Sequence, residues 1–386
     1  MSFRLLRGGA LLCVLHAAAC GVGSNDPAPT PPAPEDEWDQ KLDDRVVDYG
    51  AALRIAALRL TGDLPTLTEM TSVVGAADPK SAYGAQVKLY MDSPKFAAQM
   101  FHWWQDTLKM GDTPELDSAA AFAAQVTVTN RPYTDLFTAT SGTCPTFDET
   151  TGAFTAANCT NGAPATAGLL THPGAMAQFF GNLAFRRVRW VQEVFACTAF
   201  PAQISTTGQD VGGATQYIGV FPYATALATT SNPPAATDGR VDFRNVSAQV
   251  CANCHSNINH IAPLFAHFDE QGQYSANIVV PTPLVNNPVA VLTDYLPPGE
   301  PTQWRMGVMA PDLTTLGQDM AKDPEVTSCV INRMWNWAMG KSDIVDQGNR
   351  VPADTIATID AAFGGSGYKL KDAIYQIFTS DDFTRF

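Results

Sequence analysis

The sequence predicts a mainly α-helical protein, multi-helical with long loops and minor or no β structure, and three observations predict it. Apolar residues recur at helical spacing behind clear start signals. Strand signals are sparse, the best being the β-branched run Val126-Thr127-Val128-Thr129. The 29 Gly and 27 Pro break the 386 residues into many loops. Hydrophobic residues make up 45% and charged residues 16%, too apolar for a disordered chain and enough for a buried core. The 24 Lys and Arg stand against 38 Asp and Glu, a net charge of −14, which excludes a basic nucleic-acid-binding surface.

Residues 1–19 read as an export signal. Arg4 and Arg7 give a positive start, Leu11 to Leu15 an apolar stretch, and Ala17-Ala18-Ala19 a small-residue cleavage region. Cys20 follows directly, as in bacterial lipoprotein signals where that cysteine becomes the lipidated first residue. The same alanines fit ordinary cleavage, so simple secretion is the alternative. The expectation is an exported protein on the periplasmic or cell-surface side of an outer membrane, anchored by lipid at Cys20 and otherwise without a membrane span. Residues 20–43 then form a linker, in which DPAPTPPAPEDE (26–37) is too Pro-rich and acidic to join a core.

Residues 44–140 are expected to form an N-terminal helical module. Ser93-Pro94 is an N-cap with proline at the first helical position, and Phe96, Met100, Trp103 or Trp104 and Leu108 follow at helical spacing until Gly111. Residues 141–164 change to a Gly-, Thr- and Asn-rich loop. Residues 165–386 make a second helical module. There Asp323-Pro324 opens a helix with Val326, Val330, Met334, Trp337 and Ala338 on one face and Gly340 at its end. Leu370, Ala373, Ile374, Ile377 and Phe378 mark another.

Of eight cysteines, Cys13 and Cys20 belong to the leader, leaving six in the body. An oxidising compartment implies that all six are covalently used. A Cys144–Cys159 bridge would staple the polar loop, closing about 15 residues for roughly 3 kcal/mol. Cys197 is then paired with Cys329 by elimination. Cys251-Ala252-Asn253-Cys254-His255 is CxxCH, the attachment signature of c-type haem. Two thiols three positions apart form thioethers to one porphyrin, and the adjacent imidazole becomes the proximal axial ligand. A Cys251–Cys254 disulfide, half a zinc site and a thioredoxin-like pair are the competing readings. The last two lack a second ligand pair and a βαβ setting respectively.

Beyond the pentad, CANCHSNINHIAPLFAHFDEQGQY resembles the haem segment of exported planctomycete-type cytochrome c proteins, common in planctomycetes and myxobacteria, and their associated domains of unknown function. The pattern is CxxCHxxIDPxGFxxExFDxxG. Cys251, Cys254, His255, Ile258, Phe268, Asp269 and Gly272 match it, whereas Asn259, His260, Ala262, Pro263 and Ala266 depart from it. Similar likeness extends over 58–70, 91–110, 130–140, 167–201, 328–343 and 366–386. The resemblance implies helical architecture and one covalent haem c, but no substrate.

A second protein ligand would make the haem an electron-transfer site, while a five-coordinate haem would bind small ligands or peroxide. Met309, or alternatively Met306, lies 54 or 51 residues beyond His255 in WRMGVMAPDL and is the candidate distal ligand. His260 and His267 sit too near His255 on one segment to reach the opposite haem face easily. His102 and His172 read as core or capping histidines. Arg186, Arg187 and Arg189 suit either haem propionates or a solvated helix face. No nucleophile motif, phosphate loop or HExxH sequence is present. The expected function is electron transfer to a redox partner protein rather than enzymatic catalysis, with peroxidase-like or ligand-sensing haem and a non-haem surface scaffold as alternatives.

Overall fold

Five helices begin in the same way, with a polar cap and then proline at the first helical position. The caps are Asp78, Ser93, Thr113, His172 and Asp323, and each side chain accepts a backbone N–H of the first turn. Proline suits that place because its fixed φ is already helical and its missing N–H would have had no partner. In a computed structural model of the chain, the described residues are 37–198, 249–283, 286–296, 298–344 and 349–386. The expected export signal, the expected lipidation site Cys20 and the first part of the expected linker lie outside them. Glu37–Asp43, at the end of the expected linker, forms helix α1.

From Val46 onward the chain is mainly helical, as the sequence predicts. It runs through α2 (Tyr49–Thr61), α3 (Leu67–Val74), α4 (Pro79–Met91), α5 (Pro94–Leu108), α6 (Pro114–Val128) and the short α7 (Asp135–Thr138). A hairpin of β1 (Thr146–Asp148) and β2 (Ala153–Thr155) sets Phe147 opposite Phe154. Then come α8 (Pro173–Gln178), α9 (Phe185–Phe195) and α10 (Gln249–Phe265). A second hairpin, β3 (Gln303–Arg305) with β4 (Val308–Met309), precedes α11 (Leu313–Met320), α12 (Pro324–Ala338), α13 (Ala353–Gly365), α14 (Leu370–Thr379) and α15 (Asp381–Thr384). The apolar faces read from the sequence on α5, α12 and α14 are buried, except that Trp337 is only partly covered.

The Val126–Thr129 run is not a strand. Val126 to Val128 form the last turn of α6, whose Ala119–Ala124 stretch is wholly buried. Thr127 is held there by two side-chain bonds: its hydroxyl donates to the Ala123 carbonyl at 2.9 Å and accepts Trp104 Nε1–H at 3.0 Å. Tertiary burial of one turn outweighs the weak β preference of three branched residues.

One core runs through the parts of the chain on either side of the 141–164 loop. Tyr83 on α4 donates to the Phe378 carbonyl on α14 at 2.7 Å, and the Tyr133 ring meets Phe363 of α13. The last residues pair with the segment before α2, through Val46 N–H to Phe386 O and Phe386 N–H to Val46 O, both 3.0 Å, and Asp48 N–H to Thr384 O, 2.9 Å. A Cys197–Cys329 disulfide ties the end of α9 to α12.

Arg187 on α9 is completely buried, so it neither lines a solvated face nor remains available for propionates. Its five donors all reach backbone carbonyls. Nε bonds Met176 O at 2.9 Å, Nη1 bonds Phe265 O at 2.9 Å and Phe268 O at 2.8 Å, and Nη2 bonds Asp269 O at 2.8 Å and also Met176 O. Burial lowers its pKa to about 10, with nearby Asp269 opposing, so the cation persists at neutral pH. Arg189, its neighbour two residues on, pairs instead with Glu193 at 2.7 Å.

The turn after α10 explains three residues of the haem-segment pattern. Phe268 is buried, Asp269 accepts the N–H groups of Gln271 and Gln273, and Gly272 has φ +74°. A Cβ at Gly272 would stand 2.1 Å from the Pro173 carbonyl oxygen, so only glycine fits.

Replacing Arg187 with Leu should lower the unfolding free energy by more than about 3 kcal/mol, because four buried carbonyls lose charged donors at once. Arg187→Lys should recover part of that loss, since three ammonium protons cannot serve four acceptors arranged for a planar fork. Urea titrations of the two variants beside the parent protein measure both effects.

Candidate functional site

Helix α10 carries Cys251, Cys254 and His255 in its first two turns. At 3.6 residues per turn, steps of three and four bring positions 251, 254 and 255 to one face. Of these side chains, His255 is described, and it is partly buried, with Phe185 of α9 against its ring.

The proton arrangement at His255 follows from its neighbours. Nδ1 lies 2.9 Å from Asn259 Oδ1, one turn further along the helix. The other end of that amide is committed, because Asn259 Nδ2 donates to the buried Tyr295 carbonyl at 2.9 Å. Oδ1 therefore faces the imidazole and must accept, which puts the proton on Nδ1 and leaves Nε2 as a lone pair. Burial pushes the His255 pKa down, with the Asn259 bond acting in the opposite sense. The ring thus stays neutral, the state in which imidazole binds a metal.

The walls around His255 are aromatic. Phe185 meets the His255 ring edge-on at 5.3 Å, and the Tyr295 ring in turn meets Phe185 edge-on at 6.2 Å. The Tyr295 hydroxyl is buried and has no hydrogen-bond partner among the described residues, and burial followed by the adjacent Asp294 charge raises its pKa. A neutral imidazole with its proton on Nδ1, the Phe185 ring beside it and a buried Tyr295 hydroxyl without an acceptor among the described residues are groups that could hold a porphyrin through its iron.

Met309 and Met306 belong to the second hairpin. Met309 is 65% exposed on β4 and lines a cavity of about 910 Å³ together with Pro263 and Leu264 from the last turn of α10 and His267 just beyond it. Pro263 is eight residues past His255, about 12 Å along the helix axis. The structure therefore groups Met309 with the exit of α10 and not with His255. Met306 sits half-buried in the turn between β3 and β4. His260 is buried and pairs with Glu300 at 2.9 Å, while His267 Nδ1 donates to the Ser275 carbonyl at 3.0 Å.

No protein-family model, curated protein or solved structure matches this chain. Among the described residues no helix is long and apolar enough to cross a membrane.

A second cluster lies in the polar loop. Cys144 and Cys159 form a disulfide, and with His172 their ligand atoms lie within 4.8 Å of one another. Both sulfurs are committed to each other, and His172 Nδ1 accepts the Gly174 N–H at 3.1 Å. The proton is therefore on Nε2, which is the wrong tautomer for metal binding through that atom. His102, by contrast, is exposed and bonds Gln105 and Glu149.

Sequence reading missed two of these roles. Asn259 stood out only as a departure from a pattern, although its i, i+4 spacing from His255 was a usable signal. Nothing in the sequence placed His172 beside Cys144.

Burial pushes the His172 pKa down from 6.5 to about 4. Between those values the unfolded chain takes up a proton at this ring and the folded chain does not. Stability should fall as pH drops through that window, by up to about 3 kcal/mol, and level off below it. Urea titrations from pH 7 to 4 should show that loss in the parent protein relative to His172→Asn, which keeps a cap acceptor but does not titrate.

Proposed function

We propose that the chain is an exported c-type cytochrome-like protein that carries one covalent haem and transfers electrons. Cys251 and Cys254 would hold the haem through thioethers and His255 would be its proximal ligand. The observation that supports this best is the pairing of CxxCH on one helical face with a histidine whose Nδ1–H is fixed by Asn259, the tautomer a proximal ligand requires. The bound haem would supply one-electron ferric–ferrous exchange. The chain's own part is to hold the imidazole in one orientation, to keep water away with Phe185 and Tyr295, and to set ligand basicity through the Asn259 acceptor. Lipid attachment at Cys20 would tether the protein to a membrane, and an acidic surface of net charge −14 suits a basic redox partner protein.

A five-coordinate haem with a peroxidase-like or ligand-sensing role is the second reading. The place of Met309 beside Pro263 and His267 favours it, since the thioether lines a different part of α10 from His255. With Met309 or Met306 as sixth ligand, the β3–β4 hairpin would have to approach the first turns of the helix.

Protein matured with a cytochrome c assembly system should gain one haem mass and a c-type α-band in pyridine, both lost in the Cys251→Ala/Cys254→Ala double variant. An unmodified mass would leave a disulfide-stapled surface scaffold as the better account. A methionine-to-iron band abolished by Met309→Ala, or by Met306→Ala, assigns the carrier, and a high-spin ferric spectrum insensitive to both assigns the open site. Asn259→Leu should raise the reduction potential, because the proximal imidazole loses the acceptor that makes it more basic.

A further inference from the structure

We propose that the Cys144–Cys159 bridge is a thiol–disulfide exchange site, in which a dithiol partner attacks Cys159 from the adjoining cavity and His172 receives the Cys144 sulfur as the leaving thiolate. The two sulfurs differ in access: Cys144 is buried, whereas Cys159 is partly exposed and flanked by exposed Ala157, Asn158 and Thr160. Both line a cavity of about 590 Å³, together with Ser118, Asn158, Pro173 and Gln273. That volume accepts a peptide-sized thiol.

The protons around Cys144 are fixed by the surrounding bonds. Gly174 N–H occupies His172 Nδ1, so Nε2 carries the proton. Ser118 Oγ lies 3.2 Å from Nε2, but its own hydrogen goes to the Glu115 carbonyl at 2.8 Å, so it can only accept. Nε2–H is therefore shared between Ser118 Oγ and Cys144 Sγ, which is 3.0 Å away. The buried Nε2–H, 3.0 Å from Cys144 Sγ, stabilises negative charge there more strongly than the Thr143 hydroxyl, 3.6 Å from Cys159 Sγ, does on the other sulfur.

The step balances as follows. A partner thiolate forms a bond to Cys159 Sγ as the Cys144–Cys159 bond breaks, and the bonding pair leaves on Cys144 Sγ, which accepts the His172 hydrogen bond. The partner's second thiol loses its proton and attacks the partner sulfur of the mixed disulfide, and Cys159 leaves as thiolate. The partner dithiol is oxidised to a disulfide by two electrons, the bridge is reduced to two cysteines, and the partner's two protons pass to those cysteines or to water. The Cys197–Cys329 bridge is an internal comparison, because both its cysteines are buried.

The test treats the folded full-length protein with reduced glutathione, quenches with acid and alkylating reagent, and reads each cysteine by peptide mass, with Cys251 and Cys254 scored separately. Glutathione should be found on Cys159, with Cys144 released as the alkylated thiol and the Cys197–Cys329 bridge opening at least roughly tenfold more slowly. Glutathione on Cys144, or equal opening of the two bridges, overturns the proposal. His172→Asn keeps the acceptor for Gly174 N–H and removes the donor to sulfur, so opening of Cys144–Cys159 should slow by roughly tenfold while Cys197–Cys329 is unchanged. An unchanged rate at the first bridge overturns the role of His172. If that variant opens both bridges alike it has lost its fold, and the position of glutathione on the parent protein decides.

Discussion

The structure around the CxxCH helix depends on one guanidinium. Arg187 reaches from α9 to the last turn of α8, the end of α10 and the turn beyond it, and it donates to four backbone carbonyls there, Met176, Phe265, Phe268 and Asp269. Two of these, Met176 and Phe265, are carbonyls of a helix's last turn, where the partial negative charge of a helix collects, so a cation is favoured there even without a carboxylate. The geometry of the planar fork also fixes the angle at which α10 leaves the core. The position of His255 is thus set by Asn259 and Tyr295 along the helix and by Arg187 at its exit.

The parts of this fold that local chemistry specifies were legible in the sequence. Asp or Ser followed by proline marks where α4, α5 and α12 begin, because capping and the fixed φ of proline act within one turn. The apolar stripes of α5, α12 and α14 were legible for the same reason. What depends on distant partners was not. Val126–Thr129 reads as β-branched and becomes helix because Trp104 and the buried alanines of α6 claim that turn. Arg187 reads as one of three surface arginines, and only the arrival of α8 and α10 shows that it is enclosed.

The candidate site divides in the same manner. CxxCH is a local pattern and its chemistry can be read directly. The orienting Asn259 lies one helical turn away and was within reach of a helical-spacing argument, yet it needed Tyr295, 36 residues downstream, to fix which end of the amide faces the ring. The choice between Met309 and Met306 rested on sequence distance alone. Such distance does not say that the second hairpin lies against the far half of α10.

The chain closes on itself. Residues 46–48 are bonded to residues 384–386, and Tyr83 is bonded across 295 residues to Phe378. The N-terminal helices therefore cannot complete their core until the final two helices are present, and contacts of such long sequence separation form late. Folding of this protein is accordingly a closing event in which the helices that begin the core wait for the strapping contacts of residues 370–386.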